Sequence, residues 1–172
     1  MIVDASPLII FAKLNKIGLL RKLYKNIQIA DEVYKETVLR GIEKNSRDAF
    51  IIRECVSDKS IEVLSLNEKF SETAAKIQPI YNIDIGEAET IALALQLKEK
   101  EALIDEAYAR EAAKALGIMP VGSLRVLLIV YKNKLISKDE INQLISEMEN
   151  SKFRLSPRVL IEFWELLEKI KR

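Results

Sequence analysis

The sequence contains no histidine, and Cys55 is the single cysteine among its 172 residues. Without histidine, the protein cannot use Ser-His-Asp or Cys-His nucleophilic catalysis, zinc sites with histidine ligands, or RNA cleavage by paired histidines. A single cysteine excludes an intrachain disulfide and a thiolate zinc site, and it is typical of proteins in a reducing compartment. Any catalysis must therefore rely on carboxylates, hydroxyls, lysine, arginine or tyrosine.

Glycine and proline are also scarce, with five and four residues, which excludes collagen-like and low-complexity classes. Long hydrophobic runs are absent, because the apolar segments 8–12 and 126–130 are far shorter than the roughly 20 residues of a membrane span. Asp4 precedes every basic residue, so the first residues do not resemble a secretory signal. We therefore expect a soluble, cytoplasmic protein.

Neither sign of charge dominates, because 27 Lys and Arg residues face 26 Asp and Glu residues, for a net charge of +1. Bulk charge therefore does not require a polyanionic partner, although a local basic patch is still compatible with it. Hydrophobic residues make up 49% of the chain and charged residues 31%, which is typical of a globular protein. The length predicts a single domain over residues 1–172.

Short apolar runs alternate with longer helical patterns along the whole chain. Strands are predicted at residues 1–4, 27–30, 61–64, 102–104 and 118–121. Helices are predicted at residues 6–15, 19–23, 31–41, 46–56, 67–78, 84–100, 106–116, 123–132, 137–149 and 156–171. This alternation predicts a three-layer α/β/α sandwich with a mostly parallel sheet of four to five short strands. The helices from about residue 123 complete the core or form an interface.

Several residues are typical of helix ends. Ser6, followed by a proline, is expected to cap the first helix, and Gly41 is expected to end the helix of residues 31–41. Pro79 is expected to stop the helix of residues 67–78. Asp84 and Glu87 have the spacing of a capping box at the start of the longest predicted helix.

Acidic residues follow two of the predicted strands. Asp4 follows the first strand and Asp105 the fourth, so both carboxylates meet at one sheet edge if these strands are parallel neighbours. Glu36 lies on the helix after the second strand, and Glu87 lies in the first turn of the longest helix. Four converging carboxylates repel one another unless a cation lies among them, and hard cations such as Mg²⁺ prefer oxygen ligands.

Each of these residues also has a purely structural interpretation. Asp4 can cap the turn at Ser6, Glu87 can serve only the capping box, and Asp105 can cap the helix that follows it. Glu36 can be a solvated helix residue. Ser6 can be a helix cap rather than a catalytic group. The pattern alone leaves both sets of interpretations open.

Five blocks of sequence resemble the PIN-domain family. Residues 3–9, Val-Asp-Ala-Ser-Pro-Leu-Ile, resemble the opening of PIN-domain proteins. Residues 84–94 resemble the central acidic helix of a branch of archaeal and bacterial PIN-like proteins, and residues 103–117 resemble the block that follows it. Residues 122–124 and 153–156 are similar to the closing blocks of that branch. The resemblance extends over nearly the whole chain.

This resemblance implies a metal-dependent ribonuclease, and many bacterial and archaeal relatives are toxins of VapC type paired with an antitoxin. The implied catalytic acids are Asp4, Glu36, Glu87 and Asp105, and the implied ligands of Mg²⁺ or Mn²⁺ are Asp4, Glu87 and Asp105. Glu36 matches only by position, whereas the other three match by local motif. Many toxins have Asp at the position of Glu87 and a Thr-x-Asp pattern at the last acid, so either Asp105 or Glu106 could face the metal.

Ser6, Glu106 and Arg110 are predicted to support the acids. Candidate contacts to an RNA backbone are Lys13, Lys16, Arg21, Lys22, Lys25 and Arg110, and Arg110 could instead pair with Glu106. The apolar C-terminal helices predict a homodimer face or a groove for an antitoxin segment. The alternative function is a catalytically inactive PIN-like module that binds RNA or protein.

Overall fold

The computed structural model describes residues 1–151, 153 and 155–170. Five strands form one parallel sheet in the order β3-β2-β1-β4-β5. The strands are β1 (Ile2–Val3), β2 (Ile27–Ala30), β3 (Ile61–Leu64), β4 (Glu101–Leu103) and β5 (Met119–Val121). This sheet, with its covering helices, confirms the predicted three-layer α/β/α architecture, and the sheet is wholly rather than mostly parallel.

Helices connect the strands and continue after the last one. They are α1 (Ala5–Lys13), α2 (Ile17–Leu23), α3 (Asp31–Tyr34), α4 (Arg40–Glu43), α5 (Arg47–Ser57), α6 (Glu68–Tyr81), α7 (Ile85–Gln96), α8 (Ala107–Ala115), α9 (Ser123–Lys132), α10 (Lys138–Asn150) and α11 (Pro157–Lys169). A π-helical turn, Lys35–Leu39, joins α3 to α4. In the described part of the chain, no helix is long and apolar enough to cross a membrane. Lys171, the predicted last residue of the final helix, and Arg154 of the closing block lie outside the described residues.

The central strand β1 forms the middle of the core. Ile2 and Val3 are fully buried, which explains why this strand is an uninterrupted apolar run rather than an alternating one. Helix α7 packs against β1, β2 and β4, and its Ile91 and Leu93 are fully buried. The strand that carries Asp4 is therefore fixed on both sides by apolar packing.

Strands β1 and β4 are parallel neighbours, as the positions of Asp4 and Asp105 require. Ile2 pairs with Ala102, and the next residue pairs with Leu103. The backbone N–H of Asp4 extends this ladder by donating to the carbonyl oxygen of Leu103 over 3.0 Å. The carboxyl ends of the two strands therefore lie side by side, which confirms the predicted common edge.

The predicted cap at Ser6 is wrong, because α1 begins one residue earlier. Asp4 occupies the N-cap position with an extended backbone, and its carbonyl accepts the N–H of Leu8 over 3.2 Å. The Asp4 side chain makes no capping hydrogen bond, so its carboxylate is not occupied by this helix end. Ser6 lies within the first turn of α1 instead.

Two predicted helix stops are also wrong. Gly41 lies inside α4, which continues to Glu43. Pro79 lies inside α6, which continues to Tyr81, because a proline near a helix end removes only one N–H bond. The stop is Asn82, which takes the left-handed conformation with φ 51° and donates its N–H to the carbonyl of Gln78. The longest predicted helix ends at Gln96 rather than Lys100, since the chain must turn back into β4.

Gly41 permits a close contact between α4 and α5. A Cβ atom at Gly41 would lie 2.6 Å from the Cβ of Ala49, closer than two carbon atoms can approach. Gly41→Ala should therefore lower the free energy of unfolding by about 1–2 kcal/mol, although alanine favours the helix. Urea denaturation measures this loss, and the double variant with Ala49→Gly should recover much of it. Gly18→Ala is the matched control, because its Cβ meets no atom within 4 Å.

Candidate active site

A cleft of about 320 Å³ opens at the carboxyl ends of β1 and β4. Five carboxylates line it, together with small and aromatic residues: Asp4, Glu36, Asp84, Glu87 and Glu106, with Ala5, Ser6, Asn82, Ile83 and Tyr108. None of these described lining residues is a lysine or an arginine. The cleft, called the acid cleft below, therefore concentrates negative charge at the edge where ligands bind in parallel α/β sheets.

Asp4 is the most buried carboxylate of the acid cleft, with 2% of its surface exposed. Its Oδ1 accepts a hydrogen bond of 3.2 Å from the hydroxyl of Thr90, which is fully buried on α7. Burial raises the pKa of Asp4 well above its usual range; the backbone N–H of Ala5 opposes this shift, and the charges of neighbouring carboxylates add to it. An unpaired buried acid of this kind is costly for folding, which favours a functional interpretation.

Asp84 and Glu87 form the predicted capping box at the start of α7. The N–H of Glu87 donates to Asp84 Oδ1 over 2.8 Å, and the N–H of Asp84 donates to Glu87 Oε2 over 2.9 Å. Burial raises the pKa of Glu87 to about 7; the Asp84 N–H lowers it, and the charges of Asp84, Glu106 and Glu36 raise it. Glu87 is thus both a cap and a cleft residue, poised to exchange a proton near neutral pH.

Glu36 reaches the acid cleft from the π-helical turn Lys35–Leu39. Such turns are frequent at functional sites, because they displace a side chain from the regular helical path. A Cβ at Gly86 would lie 3.4 Å from both Glu36 Oε2 and Asp84 Oδ1, so this glycine allows Glu36 to approach α7. Burial raises the pKa of Glu36, the charge of Asp84 adds to the shift, and the charge of Arg40 opposes it.

Glu32 and Glu89 hold the helix that carries Glu36 against α7. Glu89 Oε2 accepts the backbone N–H of Glu32 over 2.9 Å, which ties the start of α3 to α7. The buried Glu32 side chain in turn pairs with Lys35 over 3.0 Å and with Arg40. These acids lie outside the acid cleft and fix the position of its wall.

The structure separates the neighbouring acids Asp105 and Glu106. Glu106 lines the acid cleft, whereas Asp105 lines a different pocket of about 410 Å³. Asp105 accepts bonds from the N–H and hydroxyl of Ser123, at 2.7 and 2.5 Å. Burial raises the pKa of Asp105, and the two Ser123 bonds and the charge of Arg110 oppose that shift. Arg110 donates to the carbonyl of Ile104 over 2.8 Å rather than into the acid cleft.

The predicted helix cap at Asp105 is not formed, because Glu106 occupies the N-cap position of α8. Of the predicted acids, Asp4, Glu36, Glu87 and Glu106 meet in one cleft, and Asp105 lies beside them with Ser123. Ser6 also lines the acid cleft. Asp84 lines the acid cleft as well; its sequence pattern predicted only a helix cap, although its place at the start of α7 located it at this edge.

The predicted RNA contacts are dispersed over the surface. Lys13 lines a groove beside the acid cleft. Arg21 and Lys25 lie at the opposite sheet edge, beside the first residues of β2 and β3. Lys16 faces acids of α10, including Glu140 and Glu147. Only Lys13 among these four is therefore placed to contact a chain that enters the acid cleft.

A divalent metal ion fits the acid cleft by its donor chemistry. All five charged side chains offer oxygen ligands, which Mg²⁺ and Mn²⁺ prefer, and a cation would relieve the charge repulsion that adds to the effect of burial on the pKa values of Asp4, Glu36 and Glu87. Within residues 1–151, 153 and 155–170, no three Asp, Glu or Cys side chains are placed to hold a metal ion as they stand.

A protein-family model described as PIN domain matches residues 1–169, nearly the entire chain. The chain belongs to the PIN-domain family. This confirms the family predicted from the sequence blocks. No curated protein matches the chain. PIN domains are generally nucleases that use divalent metal ions.

Proposed function

We propose that this PIN domain is a Mg²⁺- or Mn²⁺-dependent ribonuclease that hydrolyses RNA phosphodiesters. The observation that carries the proposal is the acid cleft, where five carboxylates meet without a lysine or arginine among the described lining residues. Raised pKa values of Asp4, Glu36 and Glu87 are the expected signature of a site that is completed by a cation. A structural role alone does not account for five acids that form no ion pair among the described residues.

Asp4, Glu87 and Glu106 are the residues that would hold the metal ion, with Glu36 and Asp84 beside them. A bound ion would supply an acidified water and would neutralise charge on the phosphate. Burial raises the pKa of Glu87 in the metal-free protein to about 7, so binding of the ion near pH 7 would displace the proton of this side chain. Thr90 holds the Asp4 carboxylate in place through its hydroxyl. Asp105 matches the last acid of the family by its local motif. It is proposed to support the acid cleft from its position beside it, where it bonds with Ser123.

The test is cleavage of a mixed set of structured and single-stranded RNAs in Mn²⁺, in Mg²⁺ and in EDTA. Cleavage should require the metal ion, and the same ions should raise the melting temperature, because they bind the folded state alone. If neither cleavage nor a thermal shift is seen, the alternative function, an inactive module that binds RNA or protein, is favoured. A thermal shift without RNA cleavage would support a metal site but would contradict ribonuclease activity on that set of RNAs.

A matched pair of variants in the same assay tests whether Glu106 or Asp105 is a metal ligand. Glu106→Gln should reduce cleavage and the Mn²⁺-induced thermal shift, because Glu106 lines the acid cleft. Asp105→Asn should chiefly lower stability, because its charge-assisted bonds with Ser123 weaken. The reverse result would restore Asp105 as the metal ligand.

The toxin role, an antitoxin partner, a homodimer and a cytoplasmic location stay predictions from the resemblance and composition. Helix α11 exposes Val159, Ile161 and Leu166, which supports an interface on the C-terminal helices.

A further inference from the structure

A second groove, of about 540 Å³, lies directly beside the acid cleft. The two share Glu36 and Asp84 as a common wall. Three cationic side chains line this second groove: Lys13 at the end of α1, and Arg40 and Lys44 at the two ends of α4. It is called the basic groove below. A ligand that leaves the acid cleft on this side therefore meets three cationic side chains, a type that is absent from the described lining of the acid cleft.

The cations of the basic groove are available for a ligand. The ion pairs found among the described residues include neither Lys13 nor Lys44, and both side chains are exposed. Arg40 pairs with Glu32, which restricts its side chain and leaves other guanidinium N–H groups free to donate. The acid Asp48, which also lines the groove, already accepts the hydroxyl of Ser46.

The position of these cations matches the needs of an RNA substrate. A phosphodiester backbone that crosses five carboxylates is repelled unless cations contact the phosphates next to the cleavage position. The other basic residues weighed above do not meet this need, since Arg21 and Lys25 lie at the opposite sheet edge. Arg110 donates to the backbone carbonyl of Ile104 and lines the pocket of Asp105 rather than the basic groove.

We infer that the basic groove binds backbone phosphates of the RNA on one side of the cleavage position, through Lys13, Arg40 and Lys44. This inference rests on the proposed ribonuclease function and adds the path of its substrate. These contacts depend on the charge and spacing of the phosphates rather than on base identity, because phosphate contacts from surface lysine and arginine carry no sequence information. The groove therefore sets affinity and register for the RNA.

The test compares two double variants that remove equal charge. Lys13→Gln with Lys44→Gln alters the basic groove, and Arg21→Gln with Lys25→Gln alters the distant surface at the opposite sheet edge. Binding of a fluorescein-labelled single-stranded RNA of mixed sequence is measured in EDTA at several salt concentrations, so that metal-dependent cleavage does not interfere. Thermal unfolding of both double variants confirms that the exposed substitutions leave the fold intact.

The groove variant should bind RNA roughly tenfold more weakly, and its plot of log affinity against log salt should be shallower by about 1.4, for two lost phosphate contacts. The distant variant should bind as the unaltered protein does. Equal losses in the two variants, or no loss in the groove variant, would overturn the inference. Because this readout needs no cleavage, failure of the proposed ribonuclease activity is seen separately, as absence of Mn²⁺-dependent cleavage by the unaltered protein.

Discussion

Asp4→Asn should abolish metal-dependent RNA cleavage and, at the same time, stabilise the metal-free protein. The loss of a charged ligand at the most buried position of the acid cleft should lower the cleavage rate on the order of 100-fold or more. The metal-free protein should gain stability at pH 7, because asparagine removes a carboxyl group whose pKa is raised by burial and by the charges of its neighbours. The asparagine oxygen can still accept the Thr90 hydroxyl.

Opposite effects on activity and stability distinguish a functional acid from a structural one. Cleavage rates in Mn²⁺ and urea denaturation in EDTA give the two readouts. Asp139→Asn is the matched control, because Asp139 is exposed on α10 and belongs to no part of the acid cleft. If Asp4→Asn lowers stability as well as activity, the carboxylate supports the fold, and the interpretation of Asp4 as a metal ligand fails.

The second large effect is a loss of stability as the pH of metal-free protein rises from about 4.5 to about 7. Glu87 titrates near 4.5 when unfolded, and the fold raises its pKa to about 7. Between these values the unfolded chain has released the proton and the folded chain retains it, so the folded state binds more protons. By linkage the free energy of unfolding must then fall with rising pH, by roughly 2–3 kcal/mol from Glu87 alone.

Urea denaturation in EDTA at pH 4.5, 5.5, 6.5 and 7.5 measures this slope. Glu87→Gln should flatten it, because glutamine keeps an oxygen for the Asp84 N–H but does not titrate. Mn²⁺ should stabilise the unaltered protein more at pH 7.5 than at pH 5.5, since ionised carboxylates bind it better. A slope of the opposite sign, or one that persists in the glutamine variant, would show that other groups control the titration.

The strands, and the sheet edge that carries the acids, could be predicted because strands buried on both faces are continuous apolar runs in the sequence. Apolar runs gave the exact bounds of β2 and β3, and the acids after β1 and β4 placed the cleft. The Asp84–Glu87 capping box was predictable because its bonds are local and its spacing is fixed. These features depend on short stretches of chain, so one sequence is sufficient to find them.

The features that could not be predicted depend on contacts between distant segments. Asp105 and Glu106 are adjacent, and only the partner Ser123, on another element, determines which of them turns away from the cleft. The local sequence predicts a helix stop at Gly41, because it does not show the close approach of this residue to Ala49. The helical pattern of Lys13 likewise does not reveal which sheet edge its side chain will reach.

The order of the strands has a consequence for the nascent chain. Ile2 of the central strand β1 pairs with Ala102 of β4, so β4 is synthesised about one hundred residues after β1. Contacts of such long sequence separation form slowly and late in folding. During translation, a growing chain cannot complete the acid cleft until Glu106 has left the ribosome, because that residue supplies one of its walls. Incomplete chains therefore lack part of the proposed active site, and full-length chains gain it only near the end of folding.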